Sequence, residues 1–238
     1  MNILILGATS SIGKSVAKGF AKNNKLFMLT TKPEKLEPLK KEILALDVID
    51  VKIIEADLAS QLNINELIKH NIDMIINIAS ASSRLKNDHI KPHHNKLYTS
   101  VDLLNPLLIL EYFIKEKSKE GKNQKLYYIF VNTILSKIQS PNYSIYYSYK
   151  ILQQEYMLGF QRNYGEHLKT LNVVVGTQIE RTNENQKTLN LANRIKRAIQ
   201  NNESEFIFGL EGKIIYLLYR ISPLLSNSLI YIKRLLFK

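Results

Sequence analysis

Tyr146 and Lys150 stand four residues apart in Tyr146-Tyr147-Ser148-Tyr149-Lys150. The surrounding segment has helical spacing, and a helix puts both side chains on one face. A phenol ordinarily loses its proton at about pH 10, too high for efficient acid–base work at neutral pH. An adjacent ammonium favours the phenolate and brings that value down. The pair is therefore a candidate proton-transfer unit. The chain has 13 Tyr and 33 Lys+Arg, so the same spacing also fits an amphipathic helix with a surface lysine. Position sharpens the reading. The strand-like run Lys125–Asn132 ends just before Thr133, and a hydroxyl at a strand's carboxyl end can meet a tyrosine of the next helix. Ser136 is a second hydroxyl for that role.

A second constellation lies near the amino terminus. Leu6-Gly7-Ala8-Thr9-Ser10-Ser11-Ile12-Gly13 joins the apolar run Asn2–Leu6 to a stretch with Ile12, Val16 and Phe20 at helical spacing. Gly7 permits a tight turn. The small residues after it let backbone N–H groups approach a pyrophosphate at a helix N-terminus, where the dipole favours anions. Gly13 allows close helix–sheet packing. The spacing is not G-x-G-x-x-G, and two glycines also fit a turn that holds no ligand.

The elements that must position these residues alternate along the chain. Lys25–Thr30, Asp50–Glu55, Asp73–Ala79, Leu171–Val175 and Glu205–Phe208 read as further strands. Ser11–Lys22, Pro33–Leu46, Ile64–Ile68, Tyr98–Lys117, Ser144–Tyr164 and Thr188–Gln200 read as helices, with Pro38 inside the second and Pro106 expected to kink or split the fourth. This predicts an α/β fold: a Rossmann-type, doubly wound parallel sheet in a single domain over residues 1–210, with an amphipathic helical tail over 211–238. The polar stretches Ser83–Asn95 and Gly176–Asn190 are expected as loops bordering a site at the strands' carboxyl ends.

The joint order of these motifs resembles the short-chain dehydrogenase/reductase family over about residues 1–210. Gly7–Gly13 looks like the family's T-G-x-x-x-G-x-G loop. Asp57 in Ala56-Asp57-Leu58 is similar to its adenine-contacting acid. Asn77-Ile78-Ala79-Ser80 resembles its N-N-A-G element, and Thr133, Tyr146 and Lys150 match its Ser–Tyr–Lys set. Val175-Gly176 lies where Pro-Gly follows the sixth strand, and Thr182 corresponds to a nearby hydroxyl. The resemblance implies hydride transfer between a nicotinamide cofactor and a carbonyl or alcohol carbon. Tyr146 moves the oxygen's proton, Lys150 holds the ribose hydroxyls and depresses the tyrosine pKa, Thr133 binds the reacting oxygen, and Asn77 fixes backbone near the cofactor. The chain departs from the pattern at Leu6, Ser11, Ile78, Ser80 and Thr133, and Asp102 stands where the family often has the Asn of its proton relay. A Cβ at Ser11 is strained if that position needs φ > 0.

After the second strand, where an NAD enzyme usually places an acid for the ribose 2′-OH, stand Thr31 and Lys32. A cation there can pair with a 2′-phosphate, so NADP(H) is expected over NAD(H). The alternative makes Lys32 a solvated loop charge. The expected cofactor-binding set is Gly7, Thr9, Ser10, Ser11, Ile12, Gly13, Thr31, Lys32, Asp57, Leu58, Asn77, Ala79, Tyr146, Lys150 and Gly176.

Composition bounds the rest. The 238 residues are 45% hydrophobic and 23% charged, a globular mix. The absence of Cys excludes disulfides and thiolate chemistry within the chain. No signal peptide is expected, and no uncharged apolar run reaches membrane-spanning length. The net charge of +12 suggests an anionic partner. No acidic residue follows Glu211, whereas Lys213, Arg220, Lys233, Arg234 and Lys238 do, interleaved with Ile214–Tyr219 and Leu229–Ile232. Pro223 is expected to separate two short helices, with Leu225, Leu229, Ile232 and Leu236 at helical spacing. Such a segment can lie in the headgroup plane of an anionic bilayer; its uncharged stretch Ile221–Ile232 is too short to span.

A cytoplasmic enzyme, peripheral on the inner membrane face, is expected. Some short-chain reductases with similar tails act on lipids, so the resemblance implies a lipid or a lipid-linked sugar of glycan assembly as substrate. The alternatives are a soluble small-molecule reductase whose tail makes a homo-oligomer, and a non-catalytic cofactor-binding scaffold. No nucleic-acid motif accompanies the charge. His89, His93 and His94 are set aside as metal ligands because Pro92 interrupts them and no carboxylate completes a set.

Overall fold

The computed structural model describes residues 1–60, 64–81, 92–119, 121, 124–138, 144–176, 186–224, 226 and 228. Seven strands form one sheet: β1 (Asn2–Leu6), β2 (Lys25–Thr30), β3 (Asp50–Glu55), β4 (Met74–Asn77), β5 (Leu126–Thr133), β6 (Leu168–Val175) and β7 (Glu205–Phe208). Their order is β3-β2-β1-β4-β5-β6-β7, and every pair is parallel. The helices are α1 (Ser11–Gly19), α2 (Glu37–Leu44), α3 (Asn65–Ile68), α4 (Pro92–Tyr98), α5 (Asn105–Lys119), α6 (Ile134–Ile138), α7 (Ser144–Tyr164), α8 (Gln186–Gln200) and α9 (Leu210–Ile221). The expected doubly wound sheet is present. Its order reverses between β1 and β4, where Leu6 registers with Leu29 on one side and Asn77 on the other. Such a switch point opens a crevice at the strands' carboxyl ends.

Most strand residues are apolar and buried because both faces of the sheet are covered, with charged residues such as Asp50, Lys52 and Glu55 on the edge strand β3. Alternate residues supply two cores. Leu4, Leu6 and Leu29 pack with Ile109 and Phe113 of α5 and Met157 of α7. Ile3, Ile5 and Met28 pack with Val16 of α1, Leu39 of α2 and Ile195 of α8.

Several boundaries differ from expectation for local reasons. Pro33–Lys35 forms a separate 3₁₀ turn, and Pro38 lies in the first turn of α2, where no intrahelical N–H is needed. The expected Tyr98–Lys117 helix is broken at Thr99–Leu104, a π-helical turn in which Asn105 N–H bonds Ser100 C=O. Pro106 has no N–H for the carbonyl four residues back, at Asp102. The helical run Asn95–Lys119 is long and apolar enough to cross a membrane by length and composition, although, as expected, no uncharged stretch within it reaches that length. However, 56% of its apolar window is buried in the protein. The α9 helix follows Gly209 (φ 89°) and packs inward through Ile215 and Gly212.

Candidate active site

The turn from β1 into α1 is set by two glycines. Gly7 has φ 90°, and a Cβ there would lie 2.9 Å from Ala79 N and 3.0 Å from Ile78 C. A Cβ on Gly13 would lie 2.3 Å from Gly7 O. The loop is thus pressed against the backbone leaving β4, and only glycine fits at either place. Ser10 caps α1: its Oγ accepts from Gly13 N–H at 3.0 Å and donates to Gly7 O at 2.9 Å. No acid stands in the first turn to neutralise the positive helix end. Ser11 opens α1 and is not among the positive-φ residues, so its Cβ brings no backbone strain.

A cleft of about 270 Å³ runs across the switch point. Gly7, Thr9, Ser10, Ser11 and Ile12 line its middle. Toward β2 and β3 it is lined by Thr30, Thr31, Ala56 and Leu58; toward β4 and β5, by Ala79, Ser80, Asn132, Tyr146 and Lys150. Thr31 and Lys32 are exposed at the end of β2, with Lys32 N–H bonding Thr30 Oγ1 at 3.1 Å. Asp57 accepts from Ala59 N–H at 2.9 Å and shapes the turn that presents Leu58. Asn105, which the sequence reading missed, pins that turn by donating to Leu58 O (2.7 Å) and Ser60 O (3.0 Å).

Lys150 and Tyr146 share one face of α7, and both are buried against the cleft. Lys150 Nζ lies 6.0 Å from the Tyr146 ring centre and 5.1 Å from that of Phe130. It donates to Ala79 O at 3.3 Å and sits 3.3 Å from Asp102 Oδ1. Tyr149 is engaged elsewhere: its hydroxyl is 2.8 Å from that of Thr99, and its ring stacks on Tyr98. Tyr146 is therefore the member of this tyrosine run that faces the cleft.

Some expected residues act from behind the cleft. Asn77 donates to Tyr128 OH at 3.0 Å and accepts from Ala79 N–H at 3.1 Å, holding the exit of β4. Burial pushes the Tyr128 phenol up to about 12 against the opposing effect of hydrogen bonds from Asn77 and Gln153. It remains neutral beneath the site. Thr133 is 0% exposed, and its Oγ1 accepts from Leu135 N–H at 3.3 Å, while Ser136 Oγ donates to Thr133 O at 2.8 Å. Both hydroxyls serve the first turn of α6, and neither residue lines the cleft. Gly176 packs against Gly212 of α9, whereas Val175 reaches the cleft. Thr182, His89 and the side chains of His93 and His94 lie outside the described residues, among which no cluster of metal-ligating side chains occurs.

The glycine cradle, the uncompensated end of α1 and the crevice at the switch point fit a dinucleotide. Comparisons agree with this geometry. A model of the short chain dehydrogenase family matches residues 1–191. No curated protein matches the chain. Among solved structures, a 7β-hydroxysteroid dehydrogenase is similar with a TM-score of 0.76 at 16% identity, over 95% of each chain. The bulky-bulky ketone specific alcohol dehydrogenase of Comamonas testosteroni gives 0.74 at 17% identity, over 88% of this chain and 86% of that one. A short-chain dehydrogenase of Sphingobium yanoikuyae in complex with NADPH gives 0.74 at 14% identity, over 88% of each chain.

Proposed function

The chain belongs to the short-chain dehydrogenase/reductase family, and on that premise we propose that it interconverts a carbonyl and an alcohol with NADP(H), using Tyr146 as acid and base. The observation that carries this reading is the buried Tyr146–Lys150 face on the wall of the cleft. When bound, the nicotinamide supplies or accepts the hydride. Ser11 and Ile12 would offer backbone N–H groups to the pyrophosphate at the start of α1, with Gly7 letting the backbone come close and Ser10, whose N–H is bonded to Gly7 O, capping the helix. In reduction, Tyr146 gives its proton to the substrate oxygen as charge gathers there, and the Lys150 ammonium stabilises the phenolate left behind. Thr133 accepts from Leu135 N–H and keeps its own O–H to donate, but that hydroxyl must turn toward the cleft to reach the same oxygen. Tyr146→Phe is expected to lower turnover by about 10²–10⁴-fold while dinucleotide affinity stays within about twofold. Unchanged turnover removes Tyr146 as the acid–base group, and a wild type that binds the dinucleotide without any turnover leaves a cofactor-binding scaffold.

NADP(H) is favoured over NAD(H) by the exposed Thr31 and Lys32 at the end of β2, where no carboxylate stands. The NADPH complex of the Sphingobium protein is consistent with this choice.

We further propose a lipid or lipid-linked sugar as substrate and an anionic membrane surface as partner. Leu210, Ile214, Leu217 and Ile221 form an exposed stripe along α9, beside exposed Lys213 and Arg220. An apolar stripe edged by cations suits the headgroup plane of an anionic bilayer. The close approach of Gly212 to Gly176 sets α9 beside the carboxyl end of β6. Full-length protein is expected to float with phosphatidylglycerol vesicles and not with phosphatidylcholine vesicles. Leu217→Glu/Ile221→Glu should abolish flotation. Equal binding by the variant removes the membrane reading, and a smaller particle in solution for the variant assigns the stripe to a homo-oligomer instead.

A further inference from the structure

Asp102 is 0% exposed and Lys150 1% exposed. Asp102 Oδ2 accepts from Ala81 N–H at 2.7 Å. Its Oδ1 makes no aligned hydrogen bond and lies 3.3 Å from Lys150 Nζ, which donates to Ala79 O. One carboxylate therefore anchors the strand exit at Ala81 and also faces the ammonium beneath the cleft. An asparagine at 102 would accept from Ala81 N–H equally well but would bring no charge. The π turn at Thr99–Leu104 carries both Asp102 and Val101, and Val101 lines the cleft.

We propose that Asp102 is the positioning residue of this site: its buried carboxylate fixes the Lys150 ammonium and, by offsetting that charge, sets the pH at which Tyr146 releases its proton. An ammonium by itself favours a nearby phenolate. Paired with a carboxylate it is close to neutral at a distance and favours the phenolate less. Among the described residues, the other titratable groups packed nearby are Tyr149, whose hydroxyl is engaged with Thr99, Tyr98, whose ring stacks on Tyr149, and Tyr128, which stays neutral below. The proposal takes Tyr146 as the acid–base group, as argued above, but its first test needs neither substrate nor cofactor.

Phenolate absorbance is titrated in the wild type and in Asp102→Asn, each with its own Tyr146→Phe counterpart subtracted to isolate Tyr146. The midpoint is expected to fall by on the order of one pH unit in Asp102→Asn. An unchanged or raised midpoint overturns the proposal. The pH–rate limb for alcohol oxidation is expected to move by the same amount. A moved midpoint with an unmoved limb upholds the Asp102–Tyr146 coupling and removes Tyr146 from acid–base catalysis. Should Asp102→Asn fail to fold, thermal unfolding of Lys150→Met is compared with Lys150→Met/Asp102→Asn. Lys150→Met alone leaves a buried carboxylate unpaired, so the double variant is expected to melt higher. A double variant that melts at the same temperature or lower overturns the pairing.

Discussion

Two lysines are withdrawn from water at opposite ends of β4. Lys117 of α5 is 2% exposed and reaches Asn71 and Asp73 at the amino end of the strand. Asp73 keeps 32% of its side chain in solvent and also accepts from Asn2 N–H at 2.8 Å. This cluster ties α5 to the starts of β1 and β4. Lys150 reaches Ala79 and Asp102 at the other end, where the ammonium borders the cleft. Burial and ion pairing are common to both lysines and so mark neither as functional. The difference comes from topology: the crevice forms where strand order reverses at the carboxyl edge.

Breaking the Lys150 cluster should have the larger effect on chemistry. Lys150→Met is expected to lower kcat/KM by about 10²–10⁴-fold, the range for removing a group that assists proton transfer. Steady-state kinetics at constant folded fraction measure this loss. Lys117→Met should instead cost about 2–3 kcal/mol of stability. That is below the 3–5 kcal/mol of a fully buried broken pair because Asp73 remains partly hydrated. Urea denaturation reads the loss, and kcat per folded molecule should not change. A large drop in kcat for Lys117→Met would erase the distinction between the two ends.

Two smaller effects sharpen the contrast around the carboxyl edge. Lys32→Glu should lower the NADPH-to-NADH preference by about tenfold or more, because a carboxylate then meets the 2′-phosphate; kcat/KM for each cofactor checks it. Tyr128 tests the support beneath the site. Its phenol is pushed up to about 12 in the folded protein from the usual value of about 10. Its contribution is therefore complete below pH 10 and is lost as pH rises toward 12, on the order of 2–3 kcal/mol in all. Stability measured against pH should show this alkaline decline, and Tyr128→Phe should flatten it.

Much of this was legible locally. The strands Asn2–Leu6, Lys25–Thr30, Asp50–Glu55 and Glu205–Phe208 and the helix Ser144–Tyr164 match the sequence reading at both ends. Short apolar runs and helical spacing are written within a few residues. The glycine turn at Gly7–Gly13 was readable for the same reason, since backbone conformation depends on the residue itself. Thr133 stands at the end of β5 as its sequence position implies, whereas the direction of its hydroxyl toward the first turn of α6 depends on the backbone that follows.

The sequence by itself determined the alternation of strands and helices, the phosphate-type turn and the placing of Tyr146 and Lys150 on one helical face. Each follows from spacing that a single turn or strand can express. Only the tertiary structure decided which tyrosine meets the cleft, that Asn105 pins the turn at Leu58, and that Asp102 faces Lys150. Those contacts join segments far apart in the chain. They exist because the sheet order brings β4, the π turn and α7 together, a long-range arrangement that no local period encodes.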